Sequence, residues 1–140
     1  MIQMSKLMIF LCFPGIIMLS YLLTLHYVDT PSICNISDSL NCEVANKSVY
    51  SEFFGVPLSA IGIGYFILVL VLLQSGPKFT PFVFLVSIIA IPPCLYLTHV
   101  QINILGSICI FCELTKLTIY TILALSLIES RRRHLLQFEF

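Results

Sequence analysis

Charged residues are scarce in this chain, and that scarcity excludes an ordinary soluble domain. Of the 140 residues, 10% are charged and 59% are hydrophobic, and the mean hydropathy is +1.02. These values lie far from the averages of soluble domains. The formal net charge is zero and by itself says little about partners. No nucleic-acid partner is expected.

Several familiar catalytic motifs are also absent. The sequence contains no His-Glu-x-x-His motif, no glycine-rich phosphate loop and no Ser/His/Asp grouping of the hydrolase type. The first apolar segment is too long for a signal peptide, and no small-residue cleavage site follows it before Asp29 and Pro31. We therefore interpret this segment as a retained membrane helix.

Long apolar runs take up most of the sequence. The first, second and fourth runs are about as long as a bilayer-spanning helix, whereas the third reaches that length only with its flanks. They predict an all-α integral membrane protein: a four-helix bundle forming a single domain over residues 1–140, with an outer loop over residues 29–55. The predicted helices cover about residues 7–28, 56–73, 80–98 and 108–128.

The basic residues predict the orientation of these helices. Lys6, Lys78 and the run 131–133 all fall on one side of a four-span topology, whereas Lys47 lies on the other side among acidic residues. Because Lys and Arg are enriched in cytoplasmic segments, we expect a multi-pass protein of the inner or plasma membrane with both termini cytoplasmic. The 29–55 loop and the turn before the fourth helix then face the extracytoplasmic side.

A Cys-x-x-Cys pair, Cys109 and Cys112, stands at the start of the fourth apolar run. Two cysteines so spaced on a helix lie nearly one turn apart and can act as a redox dithiol. Ser107 occupies the position expected of the helix N-cap. A thiol in the first turn faces the positive end of the helix dipole, which favours the nucleophilic thiolate. The pair is therefore a candidate redox site.

The outer loop carries a second pair, Cys34 and Cys42, in a polar segment with little apolar content. On an exposed, mobile segment such a pair can exchange disulfides with both a protein partner and the membrane site. Alternatively, it is a structural staple of the loop. A third possibility is a non-enzymatic metal carrier in which the two pairs together supply four thiolate ligands.

Lys116 is unusual because it lies one turn after Cys112 inside an apolar helix. A charge in a membrane span is costly and indicates a functional site. Lys116 can stabilise the Cys112 thiolate or donate a hydrogen bond to a ligand carbonyl; alternatively it pairs with Glu113 or extends to the surface. We interpret Cys12 and Cys94 as packing residues and His26 as an interfacial polar group.

The order of these residues resembles the vitamin K epoxide reductase homologues. The resemblance rests on Cys34, Cys42, a serine six positions later (Ser48), and the Cys109–Cys112 pair. The stretch over residues 48–62, with its Phe-Gly-x-Pro start of the second helix, looks like the bacterial branch. The DsbB type of disulfide-generating membrane protein has the reverse order of cysteine pairs.

This resemblance implies a quinone, ubiquinone or menaquinone, held near the outer face of the bundle. Cys109 and Cys112 would be the active-site pair, with Cys112 passing electrons to the ring. Cys34 would meet the partner's thiol and Cys42 would form a transient bridge to Cys109. The candidate quinone-binding residues are Ser48, Phe54 and Lys116; the vertebrate enzyme has a tyrosine at the last of these positions.

The function implied is that of a membrane thiol:quinone oxidoreductase that generates disulfides. Its partner would be a thioredoxin-like, DsbA-like thiol oxidase, separate because this chain ends at Phe140 without a fused domain. The alternatives are a vitamin K epoxide or quinone reductase that runs in the opposite direction, and the metal carrier.

Overall fold

The structure, a computed structural model, describes residues 2–138 and confirms the all-α prediction. The expected domain over residues 1–140 extends beyond the described residues at both ends. Strand structure within residues 2–138 is limited to one two-residue hairpin and an isolated bridge between Ser37 and Leu40. The elements in chain order are α1 (Ile2–Tyr27), α2 (Cys42–Lys47), β1 (Glu52–Phe53), β2 (Val56–Pro57), α3 (Leu58–Gln74), α4 (Thr80–Val100) and α5 (Ile110–Phe138).

Three helical segments are long and apolar enough to cross a membrane: Gln3–Tyr27, Pro77–Leu105 and Ile110–Gln137. The remaining long helix, α3, is apolar but has 17 residues, at the lower end of the range for a span. With its flanks the third segment reaches the length of a membrane span, as predicted. The second helix is the shorter one, because Val56 and Pro57 belong to the β-hairpin before it.

Two helices run further than the hydropathy predicts. Helix α4 continues through Pro92 and Pro93 to Val100 and is followed by a π-helical turn, Gln101–Leu105. Helix α5 continues to Phe138, so the arginine run 131–133 lies within it rather than after it. Arg133 donates from Nη2 to the buried Glu129 carboxylate at 2.8 Å, an i,i+4 pair that stabilises this extension.

Close packing between α1 and α3 depends on glycine. A Cβ atom at Gly15 would lie 2.5 Å from the ring of Phe66, and one at Gly62 would lie 2.7 Å from Leu19. Phe66 is fully buried in this contact. Cys12 is also fully buried in the core, in keeping with its predicted packing role. Helix α5 packs against both α1 and α4, so the long helices enclose a common core.

The outer loop is folded, in contrast to the mobile segment expected from its composition. Asn41 caps α2 by accepting a hydrogen bond from the Val44 amide at 3.1 Å. Asn46 donates to the Leu22 carbonyl of α1 at 2.6 Å, and His26 lies 2.9 Å from both the Asn46 carbonyl and a Glu52 oxygen. These contacts hold the loop against the end of the helices, because buried polar groups of the loop need hydrogen-bond partners and find them on α1. The amino-acid composition of the loop does not reveal these partners.

Candidate functional site

Three sulfurs meet where the outer loop contacts the start of α5. Cys34 and Cys42 form a disulfide, and Cys109 Sγ lies with both of their sulfurs in a group whose members are all within 4.8 Å of one another. All three cysteines are buried; Cys34 is 4% exposed and the other two are fully enclosed. The expectation of an exposed loop pair was wrong. The pair is nevertheless next to the Cys-x-x-Cys motif, as disulfide exchange requires.

Cys109 itself occupies the N-cap of α5, which begins at Ile110. Its carbonyl accepts the first helical hydrogen bond, from Glu113 N at 3.0 Å, and its Sγ accepts one from Cys112 N at 3.3 Å. The expectation that Ser107 caps this helix was therefore wrong. The sulfur takes the place of a capping oxygen and faces the unpaired amides of the first turn, which favours its thiolate form.

Hydrogen bonding at this cap makes Cys109 more acidic. The hydrogen bond from the Cys112 side chain is the largest cause of the lowered pKa of Cys109, and the backbone amides of Cys112 and Phe111 add to it. Burial opposes the effect, and the positive charge of Lys116 supports it. A thiolate at this position is the nucleophilic form in thiol–disulfide exchange.

Ser107 instead ties the outer loop to the turn before α5. Its hydroxyl donates to the Asp38 carbonyl at 2.9 Å, and the adjacent Ile108 amide donates to the Ser39 carbonyl at 2.8 Å. Gly106 adopts a left-handed conformation, φ 62°, that ends the π-helical turn and redirects the chain. These bonds set the distance between the loop disulfide and Cys109.

A cavity of about 170 Å³ lies between the long helices, directly beyond Cys112. Its walls are mostly aliphatic, and Cys112 lines it whereas Cys109 does not. For comparison, an engineered apolar cavity of about 150 Å³ binds benzene, so a single ring fits. The polar residues that line it are Asn46, Ser51, Ser59, Gln101, Thr115 and Lys116.

Lys116 is the only cation among the residues that line this cavity. Its ammonium donates to Glu113 Oε1 at 2.6 Å and to Thr98 Oγ1 on α4 at 2.8 Å. Lys116 was predicted either to pair with Glu113 or to serve the functional site. The two predictions are compatible, because the same side chain pairs with Glu113 and lines the cavity. Such pairing lowers the cost of a charge inside a helix bundle.

Two predicted quinone-binding residues lie elsewhere in this structure. The Ser48 hydroxyl donates to the Ala45 carbonyl at 3.0 Å, so it serves the end of α2. Phe54 is 93% exposed at the tip of the hairpin, where φ is 51°, and its ring contacts Phe53. Neither residue lines the cavity. The reason is local: the turn of the hairpin directs Phe54 outwards.

The sequence indicated only packing roles for Ser59, in a Gly-x-x-x-Ser motif, and for Cys94, but both residues line the cavity. Ser59 Oγ is buried and has no hydrogen-bond partner among residues 2–138, which is rare for a buried hydroxyl and marks a place where a ligand can supply the partner. The signal for a ligand-binding role was a single polar residue in the first turn of an apolar helix. Cys94 is buried beside this space.

The predicted four-thiolate metal set is not assembled. Within residues 2–138, the group of possible metal ligands around Cys109 contains the two loop cysteines but not Cys112. Two of its three sulfurs are joined to each other, so they are not thiolates available to a metal. The arrangement therefore matches disulfide exchange better than a four-sulfur metal site.

Comparison with known protein families matches residues 6–127 to the vitamin K epoxide reductase family. A comparison with curated proteins found no match. The family match covers most of the chain, including both cysteine pairs and every residue that lines the cavity. It agrees with the helical fold and with the apolar segments long enough to span a membrane. The chain belongs to the vitamin K epoxide reductase family and is an integral membrane oxidoreductase.

Proposed function

We propose that this protein is a thiol:quinone oxidoreductase that generates disulfides in a partner protein. The observation that carries the proposal is the spatial order of four groups: the Cys34–Cys42 disulfide, then Cys109, then Cys112, then the cavity. The loop sulfurs lie within 4.8 Å of Cys109 Sγ, which accepts a hydrogen bond from the Cys112 amide, and of these four cysteines only Cys112 lines the cavity. Such an order supports stepwise electron transfer by disulfide exchange.

In the proposed cycle a dithiol partner first reduces the loop disulfide. A partner thiolate attacks Cys34 and releases Cys42 as a thiolate; the partner's second thiolate then releases Cys34, leaving the partner oxidised. Cys42 next attacks Sγ of an oxidised Cys109–Cys112 pair and releases Cys112. Cys34 finally attacks Cys42, which re-forms the loop disulfide and leaves Cys109 and Cys112 reduced, the state that the structure describes.

The cavity fits a quinone ring by its chemistry. Aliphatic walls suit the ring, while the Lys116 ammonium and the unpartnered Ser59 hydroxyl are donors for carbonyl oxygens. When bound, a quinone accepts two electrons and two protons. Cys112 is the sulfur placed to deliver the electrons, and ubiquinone and menaquinone both satisfy this donor set.

The remaining parts of the proposal concern topology and partner. We infer that both termini face the cytoplasm and that the loop with its cysteines faces outwards, because the basic residues cluster at the opposite end from the loop. The partner is a separate thioredoxin-like, DsbA-like thiol oxidase. It must gain access to Cys34, which is buried, so the loop opens when the partner binds.

The test is to trap the bridge between the two pairs. In the double variant Cys34→Ser/Cys112→Ser neither resolving thiol remains, so a Cys42–Cys109 disulfide should accumulate when a mild thiol oxidant such as diamide is added, and it should be seen as a linked peptide by mass spectrometry. The matched control Cys42→Ser/Cys112→Ser should form much less of a Cys34–Cys109 link. Failure of wild-type membranes to reduce an added short-chain quinone with a dithiol would overturn the proposal. Stoichiometric tight metal in the reduced protein would favour the metal carrier.

A further inference from the structure

Resting on the proposed quinone reduction, we propose that Lys116 is the proton donor to a quinone oxygen and that Glu113 returns protons to Lys116 from solvent. The route consists of two side chains on the first turns of α5. The Lys116–Glu113 ion pair then has an acid–base function in addition to stabilising the helix.

The geometry of the pair forms a path from the surface to the cavity. Lys116 Nζ lies 2.6 Å from Glu113 Oε1, within hydrogen-bond distance for proton transfer. The Lys116 side chain is 6% exposed and lines the cavity, whereas the Glu113 side chain is 33% exposed. One end of the pair therefore reaches the protein surface near the start of α5 and the other end meets the ligand space.

Thr98 fixes the inner end of this path. Its hydroxyl accepts a hydrogen bond from Lys116 Nζ at 2.8 Å and donates its own hydrogen to the Cys94 carbonyl at 3.1 Å. Glu113 and Thr98 occupy two of the three ammonium hydrogens, so one remains for a ligand. A lysine held in this way directs one donor towards the cavity.

The proton balance of the reaction requires such a donor. When Cys109 is a thiolate and Cys112 a thiol, the pair gives up two electrons and one proton as the Cys109–Cys112 bond forms. Reduction of a quinone to a quinol takes up two electrons and two protons. Lys116 supplies the second proton, becomes a neutral amine, and recovers a proton from solvent through the Glu113 carboxyl group.

The charges around the pair support this function. Cys109 and Cys112 on the same helix and Cys94 on α4 all lie close enough to Lys116 to interact with its charge, and Tyr120 lies close to Glu113. Among these groups Lys116 and Glu113 form the pair that links the cavity to the surface. Lys116 and Glu113 are thus the groups available to replace the missing proton.

Substitution by arginine separates proton donation from charge. Lys116→Arg keeps a positive charge and several N–H donors, but guanidinium does not release a proton in proteins. We expect Lys116→Arg and Lys116→Met to slow single-turnover reduction of a short-chain quinone by about 10²–10⁴-fold, while Lys116→Arg binds that quinone within about threefold of wild type. The matched control Lys47→Arg changes a lysine that is also paired with a glutamate, Glu43, and should leave the rate unchanged.

A second measurement needs no quinone. In protein labelled with ¹⁵N-lysine, the Lys116 ammonium signal is identified by its loss in Lys116→Arg, and the exchange of its hydrogens with water is measured. Glu113→Gln should slow this exchange about tenfold or more, because an amide does not relay protons. Glu43→Gln, which alters the pair with Lys47, should leave the Lys116 exchange rate unchanged.

The outcomes distinguish the two proposals. If wild-type protein does not reduce the quinone, the proposed function fails. If wild type is active and Lys116→Arg is equally fast, or if Glu113→Gln does not alter hydrogen exchange, the proton route is wrong and the thiol:quinone function stands. Loss of quinone binding by Lys116→Arg would also contradict the route, because the charge and donors would then have been needed for binding alone.

Discussion

The sulfur of Cys109 lies within 4.8 Å of the sulfur of Cys42, although the two belong to an outer loop and to the last helix of the chain. Their proximity depends on the hydrogen bonds from Ser107 and Ile108 to the loop carbonyls. It also depends on the cap of α5, at which Cys109 is the capping residue.

Substitution of single cysteines should separate the two halves of the relay. Cys109→Ala and Cys112→Ala should each abolish quinone reduction, because Cys112 lines the cavity and needs Cys109 as the thiol with which it forms a disulfide. Cys34→Ala should block turnover of a thioredoxin-like partner protein and leave oxidation of small dithiols intact. The measurement is quinone absorbance with either reductant. Full-rate turnover of the protein partner by Cys34→Ala would contradict the assigned role of Cys34.

Ser107→Ala should loosen the loop from the start of α5. The substitution removes the 2.9 Å hydrogen bond to the Asp38 carbonyl, a loss of about 1 kcal/mol in the free energy of unfolding. The Cys42–Cys109 link in the trapping variant should then form several-fold more slowly. Ser75→Ala is the matched control, since its hydroxyl makes a similar bond to Val71 at the opposite end of the molecule. Equal trapping rates in the two variants would contradict this prediction.

The pH dependence of Cys109 should change when Cys112 is replaced. The hydrogen bond from the Cys112 side chain is the main cause of the lowered pKa of Cys109, so Cys112→Ala should raise that pKa. At neutral pH the thiolate fraction then falls, and alkylation of Cys109 by iodoacetamide needs a higher pH than in the protein that retains Cys112.

The measurement uses a Cys34→Ser/Cys42→Ser background so that no loop disulfide competes, with alkylation read by mass spectrometry. Cys112→Ser retains an O–H donor and should restore most of the acidity. A profile for Cys112→Ala that coincides with the parent would show that the backbone amides alone set the acidity of Cys109.

Ser59→Ala should affect ligand binding and stability in opposite directions. Ser59 as a whole residue is 5% exposed, and its hydroxyl has no hydrogen-bond partner among residues 2–138. Removing an unpaired buried hydroxyl should leave the free energy of unfolding unchanged or raise it by about 1 kcal/mol. If the hydroxyl donates to a quinone carbonyl, KM should rise about tenfold, which corresponds to roughly 1.4 kcal/mol. Thermal melting measures the change in stability, and steady-state kinetics measures the change in KM for the quinone. Lower stability with an unchanged KM would show that Ser59 is a packing residue.

Much of the fold was predictable because its determinants are local. Apolar runs longer than a soluble helix needs indicate membrane helices, and the chain belongs to the family that its cysteine order resembles. Boundaries were less accurate. Val56 and Pro57 look like the start of an apolar helix but pair as a strand with residues 52 and 53, because the tight turn at Phe54 and Gly55 favours a hairpin.

Residue patterns within short segments specify the long helices, the two Cys-containing motifs and the lysine within an apolar helix. Three features arise from the folded chain instead: the loop folds over Cys109, Phe54 faces away, and Ser59 and Cys94 share a cavity with Lys116. They differ because a cavity and a sulfur cluster are made by several elements at once. Their formation depends on packing and on hydrogen bonds between distant segments, which no local pattern of residues specifies.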